Sequence, residues 1–553
     1  MRTVAIIGGG IAGLATAALL AQDGHQVDLF EQQATVGGRA GSREASGFRF
    51  DTGPSWYLMP EVFDHFFQLL GTSSDEQLDL RRLDPAYRVF FEGEPPGPRP
   101  PHLDVLADTD ANLAAFEEVE PGAGRRLAAY LTSAGEAYDL ALRHFLYTNF
   151  TNPLSLASPA VVRKLPRLLP LLTRSLEAFV ASRFTDVRLR QVLGYPAVFL
   201  GSSPDRAPSL YHLMSALDLT GGVLYPQGGF TRLIAAIATL ATDRGVRIHT
   251  GARVTEVTTQ DVRDARDGRK SKAGRRANAT VTGLRWIDAQ GGEHLHQADV
   301  VVGAGDLHHL ETRLLPQRLR TYPQSYWDRR TSGPGAVLVL LGVRGALPQL
   351  PHHSLFFTHD WHANFDAIFG GTVPDPASVY VCKPSATDPS VAPADHENLF
   401  VLVPVPADPT LGRGGVDGHG DPQLEAVADA AIAQIALWAG VPDLADRVVV
   451  RQTIGPGDFA ADLSSWRGGM LGPGHTLRQS AMFRSGNRSR KVSGLYYAGS
   501  STIPGIGLPM CLISAELVLK HLRGDTSTGP SPVPGAHGSP ATTAGGSTAG
   551  AAS

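Results

Sequence analysis

The chain has 553 residues, 42% hydrophobic and 18% charged, a length for about three to five domains, or a few intertwined ones, around a sizeable core. Its 49 Lys and Arg against 53 Asp and Glu give a formal charge of −4, which excludes a global field for a nucleic-acid backbone. Two cysteines, Cys382 and Cys511, exclude a disulfide scaffold and a four-cysteine metal cluster, and point to a reducing, cytoplasmic setting.

No stretch reaches the roughly 18 to 20 apolar residues of a spanning helix. The apolar run from Ile6 to Leu20 is broken by Gly8, Gly9, Gly10 and Gly13 and reads as folded protein, not a cleaved signal. Val4 to Ile7 predicts a strand, Ile11 to Gln22 a helix and Val27 to Phe30 a second strand. Between the first two lies a G-x-G-x-x-G pattern, Gly8 to Gly13. Its first glycine turns tightly, the second admits a pyrophosphate and the third lets helix meet strand. Glu31 ends the second strand, where a carboxylate accepts hydrogen bonds from an adenosine ribose. NAD and FAD share this fingerprint. Gly37, Gly38 and Arg39 begin six residues beyond Glu31, two glycines for close backbone approach and a cation for a diphosphate, and they favour FAD.

From Leu154 to Phe184, leucines alternate with Arg163, Lys164, Arg167, Arg174 and Arg183, and Pro159, Pro166 and Pro170 interrupt them. Short or kinked helices are predicted there, in the most membrane-like stretch of the chain. A Gly-rich turn at 226–230 precedes a helical pattern from Leu233 to Ala241 and a strand from Gly251 to Val257. The charged run from Asp261 to Asn278 reads as a solvated hairpin tip or insertion. Near the end, Gly494 to Gly499 predicts a buried strand, then a loop of Gly, Pro and Thr and an apolar helix through Leu522. Pro509 suits its first turn, and the helix N-terminus presents positive charge to whatever the loop holds. The composition from Gly524 onward predicts disorder.

Taken together, Gly8 to Gly13 with Glu31, Gly37 to Ala40, Phe48 to Ser55, Gly222 to Gly229, Thr387 to Pro393, His475 to Ser480 and Gly499 to Pro509 resemble the bacterial-type phytoene desaturases. These are FAD-dependent carotenoid dehydrogenases of the flavin amine-oxidase-like superfamily. The resemblance covers nearly the whole chain and implies an α/β fold. A Rossmann-like FAD-binding domain would come from residues 1–85, 222–305 and 475–522. An α+β substrate domain with a helical, membrane-facing lid would come from 86–221 and 306–474, and a disordered tail from 523–553. It further implies that Gly8, Gly10 and Gly13 receive the pyrophosphate, Glu31 the ribose, and Gly37, Gly38 and Arg39 the phosphate or flavin side. Val254 would flank the adenine. Gly499, Thr502, Pro504, Gly505, Gly507 and Met510 would approach the isoalloxazine.

The implied reaction is stepwise dehydrogenation of phytoene toward lycopene, a lipophilic polyene delivered from the inner face of the cell membrane, with electrons passing to oxygen or a quinone. Related readings are a 3,4-desaturase, a C30 desaturase or an isomerase; one from another class is a non-catalytic lipid-binding escort. No catalytic base is identified: Arg163, Asp51 and His475 read as a surface cation, a turn carboxylate and a satisfied histidine. No metal centre is predicted, because the adjacent pairs His308-His309 and His352-His353 do not by themselves define a ligand face.

Overall fold

The computed structural model describes residues 1–93, 102–151, 163, 170–262 and 277–534. Its first strand, Thr3–Ile7, has an uninterrupted Val-Ala-Ile centre because it is covered on both faces. It sits in the middle of a five-stranded parallel sheet. Gln26–Phe30 and then Arg247–His249 lie to one side, Val300–Gly303 and then Leu495–Tyr497 to the other. Stretches near both termini and from the middle of the chain thus share one sheet. The α/β expectation holds.

The helix Ile11–Gln22 is nearly all Ala, Leu and Ile, and ten of its residues are buried. It is sandwiched between two other helices, Phe230–Asp243 and Leu508–Arg523. A helix apolar all round is a core helix, which is why the segment mimics a signal sequence.

A second, mostly antiparallel sheet pairs Arg253–Asp261 with Ala279–Ile287 and Glu293–Gln297. The connection expected as a solvated insertion falls between its first two strands, and residues 263–276 of it lie outside the described residues. A seven-stranded sheet runs in the order Val448–Ile454, Gly335–Arg344, His396–Val405, Val379–Cys382, His353–Phe357, Tyr87–Phe91 and His102–Val105. Strand Gly335–Arg344 is buried on both faces: Val337, Val339 and Leu341 pack with the helix Pro422–Trp438, while Ala336, Leu338 and Leu340 face the other way, toward Phe48 and Phe50. Helices including Ala123–Ala141 and Val187–Gly194 cap the Tyr87 end of this sheet.

Most of the proposed membrane-facing stretch, residues 152–162 and 164–169, lies outside the described residues; Arg163 is exposed, and Leu172 is partly so. The predicted disorder after Gly524 is corrected as far as Pro534. Lys520 is fully buried and donates to the carbonyls of Tyr147, Ser527 and Gly529 at 3.0, 2.8 and 2.7 Å. The Ser531 amide donates to Glu516 at 2.6 Å. The segment has little apolar surface to bury, but its Ser527 and Gly529 carbonyls supply two of the three acceptors of a buried cation. Residues 535–553 lie outside the described residues.

Candidate active site

A cavity of about 550 Å³ opens beneath the C-terminal ends of the parallel strands, the usual position for a ligand in such a sheet. At one end it is bounded by Gly8, Gly10, Glu31, Gly37, Gly38 and Arg39. Gly8 adopts φ +103° as the strand turns into the helix, a conformation that favours glycine. Gly10 caps the helix without a side chain, and no acid stands in the first turn. The leading amides and positive end of the helix therefore face the cavity. The final helix does the same from the far side, with Gly507 at its cap, Pro509 in its first turn and Met510 and Cys511 in the wall.

Glu31 accepts from the Gly9 amide at 2.6 Å and the Gln33 amide at 2.8 Å, and each carboxylate oxygen keeps a free lone pair. Arg39 donates to Ser465 Oγ at 2.9 Å, and its Nε is buried without a partner. Burial pushes the Cys511 thiol up to about 11, against the opposing fields of Arg39 and Arg484. A methyl added to Gly10 would meet nothing in the protein nearer than Gly37 O at 3.8 Å, so that side of the turn is open. Free helix amides, an unpartnered guanidinium nitrogen and an open glycine turn fit the diphosphate of a dinucleotide.

Away from the cradle the lining changes to Trp56, Phe199, Leu217, Phe357, Phe365 and Ile368. Of the residues singled out from the sequence, Val254, Gly499, Pro504, Gly507 and Met510 also line the cavity, while Gly13, Thr502 and Gly505 stand behind its wall. A methyl on Gly13 would lie 1.9 Å from Gly8 O, so this glycine serves helix–strand contact. Thr502 Oγ1 donates to Gly499 O at 2.8 Å and closes the loop from inside. A methyl on Gly505 would fall 2.3 Å from the His475 ring.

Residues that the sequence reading passed over hold this loop. Arg484 is buried, and its guanidinium donates to backbone carbonyls of Thr502, Pro473, Gln479 and Ser500; burial lowers it to about 10, where it stays charged at neutral pH. Asn487 Nδ2 reaches Ile503 O at 2.9 Å and Ser514 Oγ at 3.1 Å. His475 is the satisfied histidine that was expected. The Ile506 amide donates to its Nε2 at 3.2 Å, so a neutral ring carries its proton on Nδ1 and donates to Tyr211 Oη at 2.6 Å. Burial, aided by the Arg484 charge, holds its pKa well below the usual histidine value. Asp51, expected in a turn, instead ends the strand Phe48–Asp51, where it pairs across to Ser42 and its side chain accepts from the Phe230 amide at 2.7 Å.

A cavity with phosphate-binding geometry at one end and an apolar chamber at the other defines a dinucleotide-dependent redox enzyme. The model of the flavin-containing amine oxidoreductases matches residues 11–518. A carotenoid 3,4-desaturase of Haloarcula japonica is 39% identical over 524 residues, spanning 94% of this chain and 98% of that one. A zeta-carotene-forming phytoene desaturase of Myxococcus xanthus is 33% identical over 522 residues, 94% of each chain. Among solved structures, an oxidoreductase from Methanosarcina mazei superposes with a TM-score of 0.60 at 17% identity, over 94% of this chain and all of that one. This chain belongs to the flavin-containing amine oxidoreductase family, in its carotenoid-desaturase branch. It is an FAD-dependent oxidoreductase.

Proposed function

We propose that the protein dehydrogenates a long lipophilic polyene, taking phytoene stepwise toward lycopene. The observation that carries this reading is the cavity itself, which runs from the glycine cradle into an aromatic and aliphatic chamber. Such a chamber binds by burial, at about 0.8 kcal/mol per CH₂. FAD, when bound, supplies the hydride acceptor. Gly8, Gly10 and the first helix would hold its diphosphate, Glu31 its ribose and Arg39 the phosphate or flavin side, with Gly13 keeping helix and strand in contact. The loop from Gly499 to Gly507, fixed by Arg484 and Asn487, orients the wall beside the final helix. The chamber excludes water from the reacting carbons. Residues 1–85, 222–305 and 475–522 would then form the FAD-binding unit and the intervening residues the substrate unit.

A second reading is a double bond introduced nearer the end of an already unsaturated chain, supported by the 39% identity to a protein named as a 3,4-desaturase. Delivery from a bilayer fits the exposed apolar side chains Leu477, Met482 and Phe483, on the loop that leaves the cavity wall at His475. Among the described residues no helix is long and apolar enough to cross a membrane, so peripheral contact is the form proposed. The test is incubation of the FAD-loaded protein with phytoene, and separately with lycopene, in liposomes under air and with quinone. Chromatography follows the products, and flotation follows the protein. Longer conjugated products from phytoene support the first reading; products from lycopene alone support the second. No product from either overturns both, and protein that stays at the bottom of the gradient overturns the membrane contact.

A further inference from the structure

Behind the Trp56 side of the chamber lies a buried group of side chains that the redox site does not use. Cys382 and His353 face one another in register across the antiparallel strands Val379–Cys382 and His353–Phe357, with His352 adjacent. One donor atom from each of the three lies within 4.8 Å of the other two, and all three residues are buried. Each ring is held at Nδ1 by a hydroxyl. His352 Nδ1 is paired with Thr387 Oγ1 at 2.8 Å and His353 Nδ1 with Tyr380 Oη at 2.8 Å. Trp56 stacks on His353 with centroids 4.7 Å apart. That arrangement, a hydroxyl on one nitrogen and the other left free, is how ligating histidines are held.

Both Nε2 atoms are fully buried and without a partner, as is Asp51 Oδ1. Neither nitrogen is reached from the surface. A metal ion bonded at about 2.0–2.1 Å to nitrogen and about 2.3 Å to sulfur is smaller than a hydrogen-bonded water. The most distant donors need to close by about 1 Å to reach that geometry.

We propose that His352, His353 and Cys382 bind one thiophilic closed-shell cation, Zn²⁺ or Cu⁺, as a structural site bracing the chamber wall. The metal–sulfur bond forms as the Cys382 S–H proton leaves to solvent; no electron moves. Two imidazoles and a thiolate are the ligands such ions share. The bound ion would pin the end of the strand pair that carries Tyr380, whose hydroxyl meets Ser55 Oγ at 2.6 Å and Trp56 Nε1 at 3.0 Å in the chamber lining. Sequence spacing hides this site because strand register creates it.

The test uses the full-length FAD-loaded protein from cells grown with added zinc and, separately, added copper, washed with chelator and analysed for bound metal. About one equivalent per chain is expected, and the growth condition distinguishes the two ions. X-ray absorption at the metal edge should show one sulfur and two imidazole nitrogens. Cys382→Ser and His352→Gln should each reduce bound metal at least about tenfold, with flavin content reporting that the variants fold. Less than a tenth of an equivalent of either metal in the wild type overturns the site, as does a metal edge without sulfur. If both variants fold and keep their metal, that overturns it too. A wild-type result stands even where a variant does not fold.

Discussion

A methyl group is a probe of what each glycine in the nucleotide turn is for. At Gly13 it falls 1.9 Å from a backbone oxygen, which cannot move without parting strand from helix, so Gly13→Ala should destabilise the apoprotein by about 2–3 kcal/mol or more. At Gly10 the backbone is extended, φ −72° and ψ 177°, and the methyl meets only open cavity. Gly10→Ala should leave the apoprotein within about 0.5 kcal/mol of wild type and weaken FAD binding at least about tenfold, equivalent to about 1.4 kcal/mol. Denaturant melts of the apoproteins, with flavin absorbance per chain after reconstitution, separate the two; equal losses of stability would refute the division. The strand, glycine turn and helix were legible in the sequence because the motif is local. Arg484 and Asn487 were not, since their partners are backbone carbonyls whose positions depend on where the chain returns, and nothing in residue type marks that.

Elements carry their own titration behaviour. The turn Leu217–Gly221 buries Asp218, which accepts from Tyr87 Oη at 3.0 Å and from the Leu219 amide at 3.1 Å. Burial raises its pKa to about 7, the hydrogen bonds offsetting only part of the cost. A carboxyl raised on folding binds its proton more tightly in the native state, so its contribution is complete below about pH 4 and is lost as pH rises through about 7. The size is on the order of 2–4 kcal/mol. Asp218→Asn keeps an acceptor for Tyr87 and removes the charge. Across pH 4 to 8 the stability difference between variant and wild type should therefore move in favour of the variant. Urea midpoints at several pH values measure this, and a flat difference would place the charge in solvent. The strands and helices around the nucleotide turn followed from apolar runs and turn residues. The ordered stretch after Gly524 did not, because hydrogen bonds to a buried lysine leave no apolar pattern to read.

Segments near the start of the chain and the helix Leu508–Arg523 meet in one place. The first and last helices pack together, Arg523 pairs with Asp23 at 2.7 Å, and strand Leu495–Tyr497 completes the sheet begun by Thr3–Ile7. Lys520 extends that closure to the helical cap, since its three acceptors join the final helix, the segment after it and Tyr147 beyond the long helix Ala123–Ala141. Asn149 adds a bond to Asp525 O at 2.9 Å. Replacing Lys520 with Met preserves most of the buried volume and removes every donor, leaving three carbonyls short of a partner at a cost of about 1–3 kcal/mol. Residues 524–534 contribute little apolar burial, so that loss should free this segment before the domain unfolds. Lys520→Met should therefore be cut within 524–534 at least about tenfold faster in limited proteolysis, a change of about 1.4 kcal/mol in local opening, while flavin content stays at the wild-type level. Equal cutting of Lys520→Met and wild type would mean that the segment is held by something other than the buried ammonium.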